Sequence, residues 1–174
     1  EQIERIHRGS LRLLADTGMR VLSDSARALF ASAGCAVDGQ IVRIDPDLVD
    51  AALATAPASF TLRARNPARD LHIGGRHVAF CSVGGPAFCS DLERGRRPGT
   101  QADVDEYLSL VQSLDAIHQE GGGPFEALDL PPATRHLDLY LSLIRHLDKN
   151  WHAIALGRDR AADAIDMIAI ALGT

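Results

Sequence analysis

Two glycine-rich stretches are the clearest candidates in this sequence for binding a ligand. The first, residues 120–126, reads EGGGPFE and directly follows His118 and Gln119. Because glycine has no side chain, three in a row allow a ligand or another stretch of backbone to approach closely. The stretch lacks the GxGxxG pattern of a dinucleotide site, and a flexible turn after a strand is an equally good interpretation.

The second stretch is Val83-Gly84-Gly85-Pro86, which follows a short apolar segment. Glycines beside a proline permit unusual backbone geometry and close contacts. From the residues alone, this pattern favours a hinge between domains over a wall of a pocket.

The cysteines and histidines do not form a recognisable metal site. Cys81 and Cys89 are eight residues apart, with His72 and His77 nearby. Zinc sites use tighter pairs such as CxxC, so we interpret these residues as core or surface positions and assign no metal ligand.

Other polar residues have structural interpretations. His118 and His152 fall in predicted strands, where a histidine is more often a satisfied core residue than a base. Arg135 and His136 begin a predicted helix and are placed to bind a neighbouring carboxylate. The sequence contains no GxSxG motif and no Cys–His pair with an orienting partner, and we assign no catalytic residue.

The elements before residue 99 predict a mixed α+β cap. Ser23 is expected to cap a second helix, and Asp45-Pro46 to begin a third. Asp38-Gly39 predicts a type I′ hairpin. The remaining pattern predicts an amphipathic first helix that includes Ile3 and Leu14 and ends near Thr17-Gly18. It also predicts strands over residues 60–64, 71–73 and 78–80.

Residues 99–174 predict alternating helices and strands. Thr100 and Asp103 resemble a capping box, and strands are predicted at residues 116–118 and 151–156. Strands separated by helices indicate βαβ units and a parallel sheet. Two parallel strands do not complete a sheet, so we expect a truncated domain.

Composition excludes several classes of protein. The 174 residues are 46% hydrophobic and 24% charged, with net charge −5. Without a basic stripe we expect no nucleic-acid partner, and we interpret Arg94, Arg96 and Arg97 as a solvated loop. No apolar run approaches the roughly 20 residues of a membrane span, and no secretory signal begins the chain. Three cysteines fit a cytoplasmic protein.

Seven stretches of the sequence are weak signals alone but specific as an ordered set. They are IERIH (3–7), LLADTGMRVL (13–22), FTLRARNP (60–67), LHIGG (71–75), VGGPAF (83–88), DLERGRRPGT (91–100) and TRHLD (134–138). In this order they resemble the N-terminal part of the trimethylamine methyltransferase family, which includes pyrrolysine-free glycine betaine methyltransferases. The resemblance covers nearly the whole chain.

The resemblance implies a fold and a reaction. It implies an α/β protein in which an N-terminal α+β cap (1–98) precedes the first βα units of a TIM (α/β)8 barrel (99–174), apparently truncated. The reaction is methyl transfer from a tertiary or quaternary methylamine to the cob(I)alamin of a separate corrinoid protein. This chain would then bind no cofactor directly, its nucleophile would come from the partner, and the fragment alone would be inactive.

The resemblance also suggests which residues meet the substrate. In a TIM barrel the catalytic groups follow the carboxyl ends of the strands. A methylammonium ion needs aromatic faces or a carboxylate in a dry pocket. Glu120 as a solvated rim residue and Phe125 as a loop anchor are the alternatives to binding. The candidate substrate-binding residues are Glu120, Gly121, Gly122, Phe125, Gly84, Gly85 and Pro86.

Two other functions are compatible with the same residues. One is a TIM-barrel enzyme of another reaction class, because a fold does not fix a function. The other is a non-catalytic assembly module, since an incomplete barrel should expose apolar surface and open strand edges. For the same reason we expect the chain to form homo-oligomers.

Overall fold

The computed structural model describes residues 1–153 and 156–174. This part of the chain is mixed α/β, with six α-helices and four small sheets that close no barrel. It forms two compact units, residues 1–58 and residues 59–174. The domain boundary expected between residues 98 and 99 stays a prediction.

The first unit combines three helices with a three-stranded antiparallel sheet. Its sheet order is β1-β3-β2, and Val42 in the central strand is fully buried. The elements are α1 (Gln2–Arg12), β1 (Met19–Arg20), α2 (Asp24–Ser32), β2 (Ala36–Asp38), β3 (Ile41–Arg43) and α3 (Pro46–Ala54), with a π-helical turn at Leu13–Thr17.

Side-chain caps set the starts of two of these helices. The Ser23 hydroxyl accepts a hydrogen bond from the backbone N–H of Ala26 at 3.3 Å. The Asp45 carboxylate accepts one from Asp47 N–H at 2.9 Å, and Pro46 occupies the first helical turn. Both predicted helix starts are therefore confirmed, because each cap satisfies an amide that lacks a partner in the helix.

The predicted type I′ turn is wrong, although the hairpin exists. Asp38 pairs with Ile41, so the two loop residues are Gly39 and Gln40. Only Gly39 has a positive φ, of 56°, whereas a type I′ turn needs two such residues. Asp38 belongs to the ladder, which fixes it in extended backbone.

The apolar face predicted for the first helix is exposed in this structure. The helix α1 is confirmed, but Ile3 and Ile6 are 85% and 70% exposed. Leu29, predicted on the inner face of α2, is 71% exposed. A unit of this size has little interior in which to bury such side chains.

The second unit contains three parallel segments of chain. Strands β8 (Gln119–Glu120) and β9 (Asn150–Trp151) pair in parallel. On the other side of β8, residues 80–82 run parallel to it through a bridge between Cys81 and Gln119. Backbone bonds of 2.9 Å from His118 N–H to Phe80 O and from Ser82 N–H to Gln119 O hold this segment.

A helix follows each parallel segment. These are α4 (Gln101–Ser113), α5 (Arg135–His146) and α6 (Arg158–Leu172), so the predicted alternation and parallel pairing are confirmed. The strand predicted at 116–118 is wrong in position, because the ladder begins only at Gln119. The strand predicted at 78–80 is reduced to the bridge at Cys81. Of the strand predicted at 151–156, residues 154 and 155 lie outside the described residues.

The core of this unit lies between the helices and one face of the parallel segments. Leu108 of α4 and Leu143 of α5 are fully buried, and each contributes about 1.5–3 kcal/mol by leaving water. Tyr140 of α5 stacks on Trp151 of β9 with ring centroids 6.1 Å apart. The helices therefore cover the face on which Trp151 lies.

Two antiparallel hairpins complete the second unit. The two strands of the first, β4 (Ser59–Leu62) and β5 (Leu71–Gly74), were predicted, but their pairing was not. The second, β6 (Cys89–Asp91) with β7 (Gly95–Arg97), was not predicted, because its sequence is polar and lacks apolar alternation.

Charged side chains fix this second hairpin to the start of α4. Arg97 binds both carboxylate oxygens of Asp103 at 2.6 Å. The expectation of a solvated Arg97 is therefore wrong. Thr100 and Asp103 form the predicted capping box. Arg97 holds the pKa of the Asp103 carboxyl well below its usual range.

The buried Lys149 fixes the other end of α4. Its ammonium group donates to the carbonyl oxygens of Val111, Leu114 and Ile117 at 2.7, 2.9 and 2.8 Å. The side chain is almost fully buried, and this burial lowers the pKa of Lys149. The three carbonyls replace the water that the charge loses.

Replacing this ammonium group should destabilise the protein. We expect Lys149→Met to lower the free energy of unfolding by about 3 kcal/mol, because three carbonyls lose a charged donor. Urea unfolding measures the change. The matched control Arg145→Met removes an exposed charge and should change the value by less than about 0.5 kcal/mol. Equal effects of the two substitutions would contradict the capping role of Lys149.

Candidate functional site

The two glycine-rich stretches meet at the carboxyl ends of neighbouring parallel segments. Gly85 N–H donates to the carbonyl of Gly123 at 3.0 Å. Gly121 N–H donates to the Ser82 hydroxyl at 3.1 Å. Since parallel segments end at the same edge of a sheet, the loops that follow them lie side by side.

Two of these glycines are required by close packing of backbone on backbone. A Cβ on Gly84 would lie 2.3 Å from the carbonyl oxygen of Gly121. A Cβ on Gly121 would lie 2.2 Å from the carbonyl oxygen of Ser82. Both distances are too short for real atoms, so the glycines serve the approach of one loop to the other.

The carboxylate of Glu120 is buried and organises the glycine loop. Its two oxygens accept hydrogen bonds from Gly122 N–H at 2.8 Å and Gly123 N–H at 2.9 Å. The side chain is fully inaccessible to solvent. The alternative of a solvated rim residue is therefore wrong. Contact between Glu120 and a substrate stays a prediction.

Burial and hydrogen bonding act on the Glu120 carboxyl in opposite directions. Burial raises its pKa, because the ionised form loses water. The N–H groups of Gly122, Gly123 and Gly121, and the nearby His152, oppose this increase. The loss of water has the larger effect, and the pKa is raised.

The remaining candidate residues lie around this loop pair. Phe125 is partly buried against the core, and its ring occupies the space beside Gly99, where a Cβ would be 2.1 Å from Cδ2. This packing supports the loop-anchor interpretation of Phe125. Pro86 is exposed. The structure thus brings together Glu120 and glycines of both loops. Phe125 packs beside Gly99 and against the core.

The two strand histidines differ in their surroundings. His118 accepts a hydrogen bond from Phe80 N–H at 2.9 Å and stacks on the Phe80 ring, so its structural interpretation is supported. His152 is exposed, and its predicted place in the core is wrong. Its backbone N–H donates to Glu120 O at 3.2 Å, which continues the parallel ladder beyond β9.

The expectation for the start of α5 is confirmed. Arg135 binds the carboxylate of Glu126 at 3.1 Å, and His136 binds that of Asp163 at 2.8 Å. These contacts join the loop after β8 to helices α5 and α6.

Two positioning contacts were not predicted. The Tyr107 hydroxyl donates to the carbonyl of Val83 at 3.3 Å, and the Ser82 hydroxyl accepts from Gly121. No pattern in the sequence indicates them, because each depends on how α4 or β8 lies against the loop at residues 82–86.

Cys81 lies beside Glu120, and burial together with the Glu120 charge raises the pKa of its thiol. Within the described residues no group of three His, Cys, Asp or Glu side chains is placed to hold a metal ion. No helix in the described part is long and apolar enough to cross a membrane.

The fold and the site define a mixed α/β protein with a glycine-lined edge of parallel strands. The sequence profile of the family described as trimethylamine methyltransferase (MTTB) matches residues 1–174. The chain belongs to this family.

Characterised relatives carry several substrate names. Glycine betaine methyltransferase of Desulfitobacterium hafniense (strain Y51) is 32% identical over 173 residues, 99% of this chain and 36% of that protein. Trimethylamine methyltransferase MttB of D. hafniense (strain DSM 10664 / DCB-2) is 30% identical over 67% of this chain and 24% of that protein. Proline betaine:corrinoid methyltransferase of Eubacterium limosum is 30% identical over 80% and 28%. The chain spans about a third of the length of these relatives.

The raised pKa of Glu120 predicts a pH dependence of stability. The folded state holds the proton more tightly than the unfolded state, so this stabilising contribution is complete below pH 4.5 and lost as pH rises through the folded pKa. The free energy of unfolding of the wild type relative to Glu120→Gln should therefore fall as pH rises above 4.5.

Urea unfolding of both proteins at several pH values from 4 to 8 measures this difference (a range chosen around the usual carboxyl pKa of about 4.3). The exposed Glu106→Gln provides a control, which should stay within about 0.5 kcal/mol of the wild type. A constant difference between wild type and Glu120→Gln would show that burial does not govern this carboxyl.

Close packing of the loops predicts a steric effect at Gly84. We expect Gly84→Ala to lower the free energy of unfolding by about 1–3 kcal/mol, because its Cβ must displace the backbone at Gly121. Thermal unfolding with a heat-capacity correction measures the change. Gly9→Ala is the control: it has open space in helix α1 and should stabilise by up to about 1 kcal/mol. Unchanged stability of Gly84→Ala would contradict the packing of the two loops.

Proposed function

We propose that this chain is the N-terminal part of a corrinoid-dependent methyltransferase. The reaction moves a methyl group from a tertiary or quaternary methylamine, such as trimethylamine or a betaine, to the cob(I)alamin of a corrinoid protein. The observation that supports this proposal best is the family match over all 174 residues. The names of the relatives, which include a proline betaine:corrinoid methyltransferase, agree with it.

The TIM barrel is part of the same proposal. Residues 80–82, β8 and β9 run parallel, and a helix follows each of them. This repeated order is what the first units of an (α/β)8 barrel require. The glycine loops then lie at the edge where barrel enzymes bind their substrates.

The chemistry assigns different tasks to the two proteins. The C–N bond of the substrate breaks with its electron pair remaining on nitrogen, and the corrinoid partner supplies the pair that accepts the methyl group. This chain needs only to hold the amine and keep it oriented. Glu120 contributes by fixing the backbone of the loop, since both of its oxygens are bonded to Gly122 and Gly123.

An assembly role remains a second proposal for the same chain. Ile3 and Ile6 form an exposed apolar stripe on α1, which favours association with further protein. We propose a cytoplasmic homo-oligomer in which such apolar surface joins the subunits.

Methylation of cob(I)alamin tests the proposed function. The longer protein that contains this chain would be mixed with its corrinoid partner and offered trimethylamine, glycine betaine, proline betaine or carnitine. We expect methylcobalamin to appear in the absorbance spectrum with one of them. No methylation by folded protein with any of the four would overturn the proposal in favour of another reaction or the assembly role.

A further inference from the structure

A cleft lies between the hairpin β6–β7, one face of the helix α4 and the loop after β8. Its volume is about 440 Å³, within the range of roughly 300–1,000 Å³ that is usual for small-molecule sites. Tyr107 and Leu110 of α4 line it, together with Phe125 of the loop. Of the described residues, neither Glu120 nor any glycine of the two loops lines the cleft. It is therefore a second cavity beside the contact between the glycine loops.

Aromatic and aliphatic side chains form the apolar wall of this cleft. Tyr107 and Phe125 are half-buried, so part of each ring remains accessible. The Tyr107 hydroxyl already donates to the carbonyl of Val83, which leaves the ring for contact with a ligand. Leu110 is 54% exposed and lies beside Tyr107, because residues three apart are neighbours on a helix. A ligand in the cleft therefore meets two aromatic rings and one aliphatic side chain.

The charged residues at the hairpin side of the cleft are matched with one another. Arg97 donates to both carboxylate oxygens of Asp103 at 2.6 Å and to Asp91 at 3.2 Å. Arg94 donates to Asp91 at 2.8 Å. Two guanidinium groups thus balance two carboxylates, and their charges are already compensated without a ligand.

The carboxylate of Glu106 adds a negative charge to this balanced set. Glu106 lines the cleft from α4 and is exposed. Within the described residues its side chain makes no hydrogen bond and no ion pair. It precedes Leu110 by four residues, so both lie on the same face of the helix. The cleft therefore combines an apolar wall with one uncompensated negative charge.

We propose that this cleft binds a small organic cation with an apolar surface, such as a quaternary ammonium ion. The carboxylate attracts the charge, and aromatic rings attract a cation that carries an apolar coat. A metal ion is disfavoured, because no three suitable ligand side chains converge in the described part of the chain. An anion is disfavoured as well, since both guanidinium groups are bound to carboxylates. The site goes beyond the proposed methyl transfer and does not depend on it.

Binding of a charged and an uncharged probe to the longer protein tests this inference. Tetramethylammonium and tert-butanol are similar in shape, but only the first carries a charge. We expect calorimetric titration to show that tetramethylammonium binds about tenfold more tightly than tert-butanol. Glu106→Gln should weaken tetramethylammonium binding about fivefold and change tert-butanol binding by less than about twofold. Unchanged tetramethylammonium binding in Glu106→Gln would place the cation elsewhere and overturn the inference.

Substitutions of Tyr107 test the aromatic wall. Tyr107→Leu should weaken tetramethylammonium binding about threefold, whereas Tyr107→Phe keeps the ring and should bind as the wild type does. Equal weakening in the two variants would overturn the assignment of the ring, because only the hydroxyl is lost in both.

Glu93→Gln is the matched control for Glu106→Gln. It removes an exposed carboxylate of the same hairpin that does not line the cleft, and it should leave tetramethylammonium binding unchanged. Equal weakening by Glu93→Gln and Glu106→Gln would overturn the inference, since it would show a general effect of net charge. A wild-type protein that binds no tetramethylammonium, or binds both probes equally, would also overturn it.

Discussion

The buried carboxylate of Glu120 is the contact on which the candidate site depends. It accepts hydrogen bonds from the N–H groups of Gly122 and Gly123. These bonds turn the glycine loop back over the end of β8. The turned loop presents the carbonyl of Gly123 to Gly85 N–H. Two loops that are distant in sequence can then touch, because neither carries a Cβ where they meet. Full burial deprives this carboxylate of water, and the same loss of hydration raises its pKa.

Charged side chains also stabilise the two ends of α4, the helix that precedes β8. At the start of α4, Asp103 caps the helix and binds Arg97 in a two-point contact. At its end, the Lys149 ammonium donates to the carbonyl oxygens of Val111 and Leu114. A negative group at the amino end and a positive group at the carboxyl end both agree with the helix dipole. This helix also positions Tyr107, which holds the loop at Val83.

The two faces of the parallel segments differ because successive side chains of a strand alternate between them. Alternate side chains point to opposite sides, so Trp151 packs against the helices, whereas Gln119 and Asn150 lie on the other face, where both are also buried. Trp151 lies in the core, whereas His152, the next residue, is exposed.

The sequence by itself determined the local features of this protein. Residue type and spacing were enough to predict the helix caps at Ser23 and Asp45, the helix–strand alternation and the family. They were enough because capping and periodicity depend on residues only a few positions apart. Tertiary structure alone decided the roles of Glu120, Lys149 and Arg97, because each depends on partners that only folding brings near. It also decided that Ile3 is exposed and His152 is outside the core. Burial is a property of what packs nearby, which a periodic pattern does not contain.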